Sequence, residues 1–157
     1  MSFLRTIISK LVFHYQQLFA PDVWNIGILE RPIQTLLQND IETDEINWMP
    51  KPKSGEYHAD PFAFCNKDGL QIFYEHYNYR NRIGKISSIE FKNKEWGLNP
   101  RTEIEELYHI SYPYMIKYGN TMYCIPETAE NNQLVLYRLN EKDNQLEYEK
   151  TILEKIC

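Results

Sequence analysis

A stretch of this chain repeats itself at an offset of 52 residues, and that repeat limits the fold more than any other feature. Pro61 aligns with Pro113 and Glu75 with Glu127. Phe62 aligns with Tyr114 and Phe64 with Ile116, and a Tyr-His pair opens each copy at Tyr57-His58 and Tyr108-His109. In the middle of each copy stands a turn dipeptide, Asp68-Gly69 or Gly119-Asn120. Glycine and asparagine accept the positive φ that tight hairpins demand, so each copy reads as two antiparallel strands. A third strand follows at Gly84–Phe91 and at Gln133–Leu139, and a fourth, outer one is expected near Trp96 and near Tyr148.

Four short antiparallel strands in about 50 residues is the size of a β-propeller blade. The expected fold is therefore all-β: a partial propeller over residues 21–157, with one blade at about 57–100 and another at about 108–153. A small β-sandwich of two meanders is the alternative. Upstream, Trp24–Leu29 and Ile46–Met49 are further strand candidates, the first suited to closing another blade as a strap. A third copy would begin near residue 164, past the last residue given. Two blades leave sheet edges and an apolar flank uncovered. The expectation is self-association, or a partner that completes the propeller.

The rest of the composition narrows the function classes. With 43% hydrophobic and 14% aromatic residues, 157 positions hold one packed core. A net charge of −5 gives no electrostatic footprint for nucleic acid. Cys65, Cys124 and Cys157 lack metal or redox spacing and read as buried, reduced thiols of a cytoplasmic protein. Residues 1–20 carry Phe3, Leu4, Ile7, Ile8, Leu11, Val12 and Tyr15 at helical spacing, with Arg5 and Lys10 as the charges. This amphipathic helix packs on its own domain or lies against a membrane surface, which would make the protein peripheral there.

A hairpin brings its open ends together. His58, Asp60 and Glu75 should gather at one end of the first unit, and His109, Ser111, Tyr112 and Glu127 at the same end of the second. In a propeller that end borders the central channel. Two histidines and three carboxylates around one mouth suit acid–base work or sugar recognition. Duller roles compete: an Asp before Pro caps turns, glutamates end strands in solvent, and histidines satisfy local hydrogen bonds. Tyr57, Tyr74, Tyr77, Tyr79 and Tyr112 fit either core packing or a sugar-stacking rim. The spacing of these residues predicts no metal site and no cofactor.

The motifs His-Ala-Asp-Pro-Phe (58–62), Ile-Phe-Tyr-Glu (72–75), Gly-Lys-Ile (84–86), His-Ile-Ser-Tyr-Pro (109–113), Ile-Pro-Glu (125–127) and Leu-Tyr-Arg (136–138) occur in that order. Together they resemble the N-terminal domain of glucosamine inositolphosphorylceramide transferases and its bacterial relatives. That domain is in turn similar to the five-bladed furanosidases of the arabinanase and invertase type. The resemblance implies Asp60 as catalytic base or nucleophile. It implies an acidic residue at the start of the second blade, where Ser111-Tyr112-Pro113 has none. It implies a general acid from a later blade, for which Glu127 is the candidate within the chain. His58, Glu75, His109, Ser111 and Tyr112 would then position the sugar. The expected function is binding or processing of cell-surface or lipid-linked glycans, with a glycan or glycolipid as ligand. A noncatalytic scaffold, or a propeller fragment without activity of its own, is the alternative.

Overall fold

The computed structural model describes residues 23–37, 41–67, 69–140 and 142–155. The expected helix over residues 1–20, and Cys157, lie outside them. The described residues form eleven strands and three short 3-10 turns, without an α-helix.

Three antiparallel sheets lie side by side. The smallest pairs β1 (Gly27–Leu29) with β2 (Ile46–Trp48). The expected closing strap is therefore partnered by the next strand candidate in the chain. The middle sheet runs β3 (Glu56–Cys65), β4 (Leu70–Asn78), β5 (Ile83–Lys92). Its outer position, expected to hold one strand near Trp96, is shared by β6 (Glu95–Trp96) and β7 (Arg101–Ile104), which both pair with β5. The last sheet runs β8 (Ser111–Tyr118), β9 (Thr121–Glu127), β10 (Gln133–Asn140), β11 (Gln145–Glu154) in chain order. Gly119 turns the β8–β9 hairpin at φ 60°, a conformation that costs glycine nothing. The two larger sheets are the two copies of the repeat. They close no ring among the described residues.

The middle sheet is covered on both faces, which explains why five successive residues of β4, 71–75, are all buried. Phe73 and Ile86 pack against Cys124, Val135, Tyr137, Leu139 and Leu146 of the last sheet. Ile72, Tyr74, Ile89 and Phe91 pack against Ile26 and Met49, which flank β1 and β2. Phe73, Tyr74 and Ile86 are fully buried, and each such side chain contributes roughly 1.5–3 kcal/mol. Cys124 is buried as expected, but Cys65, where β3 runs out, is exposed.

A polar knot ties the outer parts of the two larger sheets. The Glu103 side chain on β7 has no exposed surface and meets Arg101 at 3.3 Å. Ser88 donates to its Oε1 at 2.5 Å and the Leu146 N–H to its Oε2 at 3.1 Å. Arg101 in turn donates to the carbonyls of Asp143 and Asn144.

Candidate functional site

Both repeats bend at the same place. Ala59 pairs with Glu75 and Phe62 with Phe73, so Asp60 and Pro61 together face one residue of β4. Likewise Ser111 pairs with Glu127 and Tyr114 with Ile125, so Tyr112 and Pro113 face one residue of β9. These are β-bulges, which re-aim a side chain at a sheet edge. Asp60 and Tyr112 take positive φ there, 49° and 48°. That conformation is uncommon outside glycine, and costlier for a bulky tyrosine than for an aspartate.

Glu75 lies beside the first bulge, on the face of β4 turned to the last sheet, and is 4% exposed. Tyr57 donates to its Oε1 at 3.3 Å. His109 Nε2 approaches the same oxygen to 3.7 Å. Burial, then the charge of Asp60, a hydrogen bond with Asp60 and the charge of Glu127, push the Glu75 carboxyl up to about 7; the Tyr57 hydrogen bond pulls the other way. Burial and the neighbouring Glu75 raise the Tyr57 phenol in turn. Glu75 is thus a carboxyl poised to hold a proton near neutral pH, with the carboxyl of Asp60 beside it.

His109 reaches this group from the loop before β8. The Gly84 N–H donates to its Nδ1 at 3.0 Å, so the proton of the neutral ring sits on Nε2, facing Glu75. Its own backbone N–H donates to Glu130 at 2.9 Å. Ile110 N–H donates to the Gly84 carbonyl at 3.0 Å. A Cβ on Gly84 would stand 2.6 Å from Glu75 Oε1, 2.7 Å from the Ile110 carbonyl and 2.8 Å from His109 Cε1. Only glycine fits between the sheets here.

An open cleft of about 520 Å³ borders this group, lined by Trp24–Gly27, Tyr57–Pro61 and Glu75. Tyr57 stacks on Tyr77 at 4.7 Å, and Tyr79 meets both edge-on. Trp24 is 62% exposed.

The expected gathering holds for Asp60, Glu75, His109 and Glu127, whose charges or dipoles act on one another. Glu127 itself is exposed. Ser111 is buried opposite it on the ladder. Tyr112 stands half-exposed, with Phe62 edge-on at 5.0 Å. His58 departs from the group. Strand alternation turns its ring to the other face of the sheet, against Tyr74 at 5.0 Å and His76 at 5.1 Å. Burial and His76 push it down to about 4, although Glu56 pulls it up. Its Nδ1 is buried without a partner. Tyr74 is core, not rim. The sequence pattern names Gly84 only within a strand and a motif and Tyr57 only for packing or a sugar-stacking rim; the close approach at Gly84 and the Tyr57 hydrogen bond to Glu75 it does not give. The only local signal for Gly84 is a glycine at the start of a strand, where an isolated glycine marks a close backbone approach.

The model of the family described as "Glucosamine inositolphosphorylceramide transferase 1, N-terminal" matches residues 46–157. A protein of Arabidopsis thaliana named glucosamine inositolphosphorylceramide transferase 1 is 32% identical over 98 residues, 62% of this chain and 13% of that protein. Proteins of the same name from Oryza sativa subsp. indica and subsp. japonica are each 30% identical over 100 residues, with the same two coverages. The chain therefore matches 13% of the length of these relatives. No solved structure matches significantly.

Proposed function

The chain belongs to the glucosamine inositolphosphorylceramide transferase 1 N-terminal family, and from this premise we propose that it is a carbohydrate-recognising and -processing β-propeller module whose working site is the Asp60–Glu75 cleft. The observation that carries the reading is the carboxyl pair at the cleft wall. Glu75 holds a proton near neutrality beside Asp60. A protonated carboxyl and a carboxylate side by side form a donor–acceptor couple. Vicinal sugar hydroxyls are its complement: Glu75 donates to one hydroxyl oxygen and Asp60 accepts from the next. Trp24 and Tyr57 supply flat surface for the sugar ring.

In any turnover Asp60 is the base that takes a proton from the bound hydroxyl. The acid is Glu75 rather than Glu127, because Glu75 is the carboxyl that carries a proton at neutral pH. Carboxyls in hydrogen-bond contact are closer than the roughly 5 Å of a retaining glycosidase pair. The pair therefore acts at one side of one sugar, as in activating a hydroxyl for transfer. A glycan bearing glucosamine or inositol phosphate, as in the names of the relatives, is the first ligand to try.

Sheet stacking supports the propeller reading. The face of the last sheet turned away from the middle one carries a shallow groove of about 300 Å³ lined by Ile116, Tyr118, Tyr123, Leu136, Glu149 and Lys150. Another sheet of the same kind, from the same or a second chain, would cover it. The count of five blades belongs to this proposal.

The test is binding of the intact protein to a glycan array, followed by titration of the best ligand. Asp60→Asn and Glu75→Gln should each weaken binding at least tenfold, and binding by the unaltered protein should fall above about pH 7 as Glu75 loses its proton. No glycan bound, or full binding by both variants, would overturn the reading.

A further inference from the structure

The Glu75 side chain belongs to the first repeat, yet one of the two groups that face its Oε1 comes from the second. Oε1 is engaged by the Tyr57 hydroxyl at 3.3 Å and faces His109 Nε2 at 3.7 Å. The longer contact is electrostatic proximity, not a hydrogen bond. His109 has little freedom to turn away. Gly84 N–H holds its Nδ1, Glu130 holds its backbone N–H, and Tyr77 packs edge-on at 5.7 Å. Were the ring flipped, the Gly84 N–H would lose its acceptor, and a buried donor without a partner is costly.

From this geometry we infer that His109 is a positioning residue for Glu75: its fixed Nε2–H dipole, together with the Tyr57 hydroxyl, marks Oε1 as the accepting oxygen and so favours the carboxyl proton on Oε2. A carboxylic acid can place its proton on either oxygen. One hydrogen bond from Tyr57 and the His109 Nε2–H dipole facing the same oxygen remove that choice. A sugar hydroxyl entering the cleft then meets a donor of fixed direction, which lowers the ordering cost of binding. The site is consequently composite, because the second repeat supplies His109 to an acid held by the first.

The charged and titratable groups around Glu75 are Tyr57 and Asp60 on β3, Tyr77 on β4, His109 before β8 and Glu127 on β9. Strand β5 presents Ile86 to it, and the segment Trp24–Gly27 has no titratable side chain. Removing the His109 dipole therefore leaves only Tyr57 to favour the ionised form against Asp60 and Glu127.

This inference rests on the reading of the cleft as the working site, but its test needs no glycan. The Glu75 carboxyl carbon is followed by NMR through a pH titration of the full chain, for the unaltered protein and for His109→Ala, His109→Gln and Tyr57→Phe. His109→Ala should move the Glu75 midpoint upward by about half a pH unit or more. Tyr57→Phe should move it in the same direction, and His109→Gln, which keeps an N–H donor, should bring it back toward the original. A folded His109→Ala chain whose midpoint does not move would overturn the inference. If His109→Ala does not fold, His109→Gln takes its place with a binding readout. Retained pH dependence of glycan binding would support the positioning role, and its loss would overturn it. A shifted midpoint in a protein that binds no glycan would sink the carbohydrate reading and leave the positioning role standing.

Discussion

Asp60 and Tyr112 occupy one backbone position in sister sheets: each is the left-handed residue of a two-against-one bulge, at φ 49° and 48°, immediately before a proline. A following proline narrows the backbone of the residue before it. Both copies therefore hold a strained apex in the edge strand, the first of them at the cleft, and strain of this kind gathers at binding and catalytic sites.

Glycine at either apex should relieve that strain. We expect Asp60→Gly to be more stable than Asp60→Ala by about 1 kcal/mol, and Tyr112→Gly more stable than Tyr112→Ala by a similar amount. In an ordinary strand the order is reversed. The comparison with alanine cancels the lost side chain, so urea unfolding of the four variants isolates the backbone. Equal stabilities within each pair would show that the apex is unstrained.

Glu75 makes stability fall as pH rises. Its carboxyl moves from an ordinary 4.5 to about 7 in the folded chain. Between those values the folded state holds a proton that the unfolded state has released, so the unfolded state is favoured as protons are withdrawn. The loss across the window amounts to about 3 kcal/mol. Glu75→Gln has no such window. Relative to the unaltered protein it should gain up to about 3 kcal/mol by pH 8 and gain nothing below pH 4.

His58 acts with the opposite sign. Its ring moves from 6.5 down to about 4 in the folded chain. As pH falls from 6.5 toward 4, the unfolded state takes up a proton that the folded state refuses, and stability is lost. Over their shared range, from about pH 4.5 to 6.5, His58 and Glu75 offset one another. The unaltered protein should thus look nearly insensitive to pH there, while His58→Phe should show the falling slope of Glu75 alone. A His58→Phe chain as flat as its parent in a series of urea melts would contradict this assignment.

Gly84→Ala tests the junction of the repeats. The added methyl would overlap Glu75 Oε1, His109 Cε1 and the Ile110 backbone carbonyl. The carbonyl cannot rotate aside as a side chain can, so we expect a loss of about 2–3 kcal/mol in unfolding experiments. A fully stable Gly84→Ala chain would mean that the two sheets separate more easily than their packing suggests.

The repeat was legible because its marks are local. Pro61 and Pro113, the hairpin glycines and Glu75 and Glu127 each announce a backbone event within a few residues. The meeting of Asp60 with Glu75 followed from hairpin geometry, and their meeting with His109 and Glu127 from the propeller expectation added to it. What escaped depends on neighbours distant in sequence. The need for glycine at position 84 is defined by His109 and Ile110. The direction of His58 follows from strand alternation relative to the bulge, and the bulge itself is invisible in a list of residue types. Nor does the spacing reveal that the strand at Gly27–Leu29 pairs with that at Ile46–Trp48, with two 3-10 turns between them.

Glu103 has a consequence for how the two repeats come apart. Its carboxylate is shut off from solvent and shared among Ser88 and Arg101 of the middle sheet and the Leu146 N–H of the last. Prising the sheets apart takes the Leu146 N–H from that buried carboxylate before water can replace it, and a buried charge short of a partner is costly. Two copies that sequence repetition would make separable modules therefore melt together. Hydrogen exchange along β5 and β10 would report one opening event, not two.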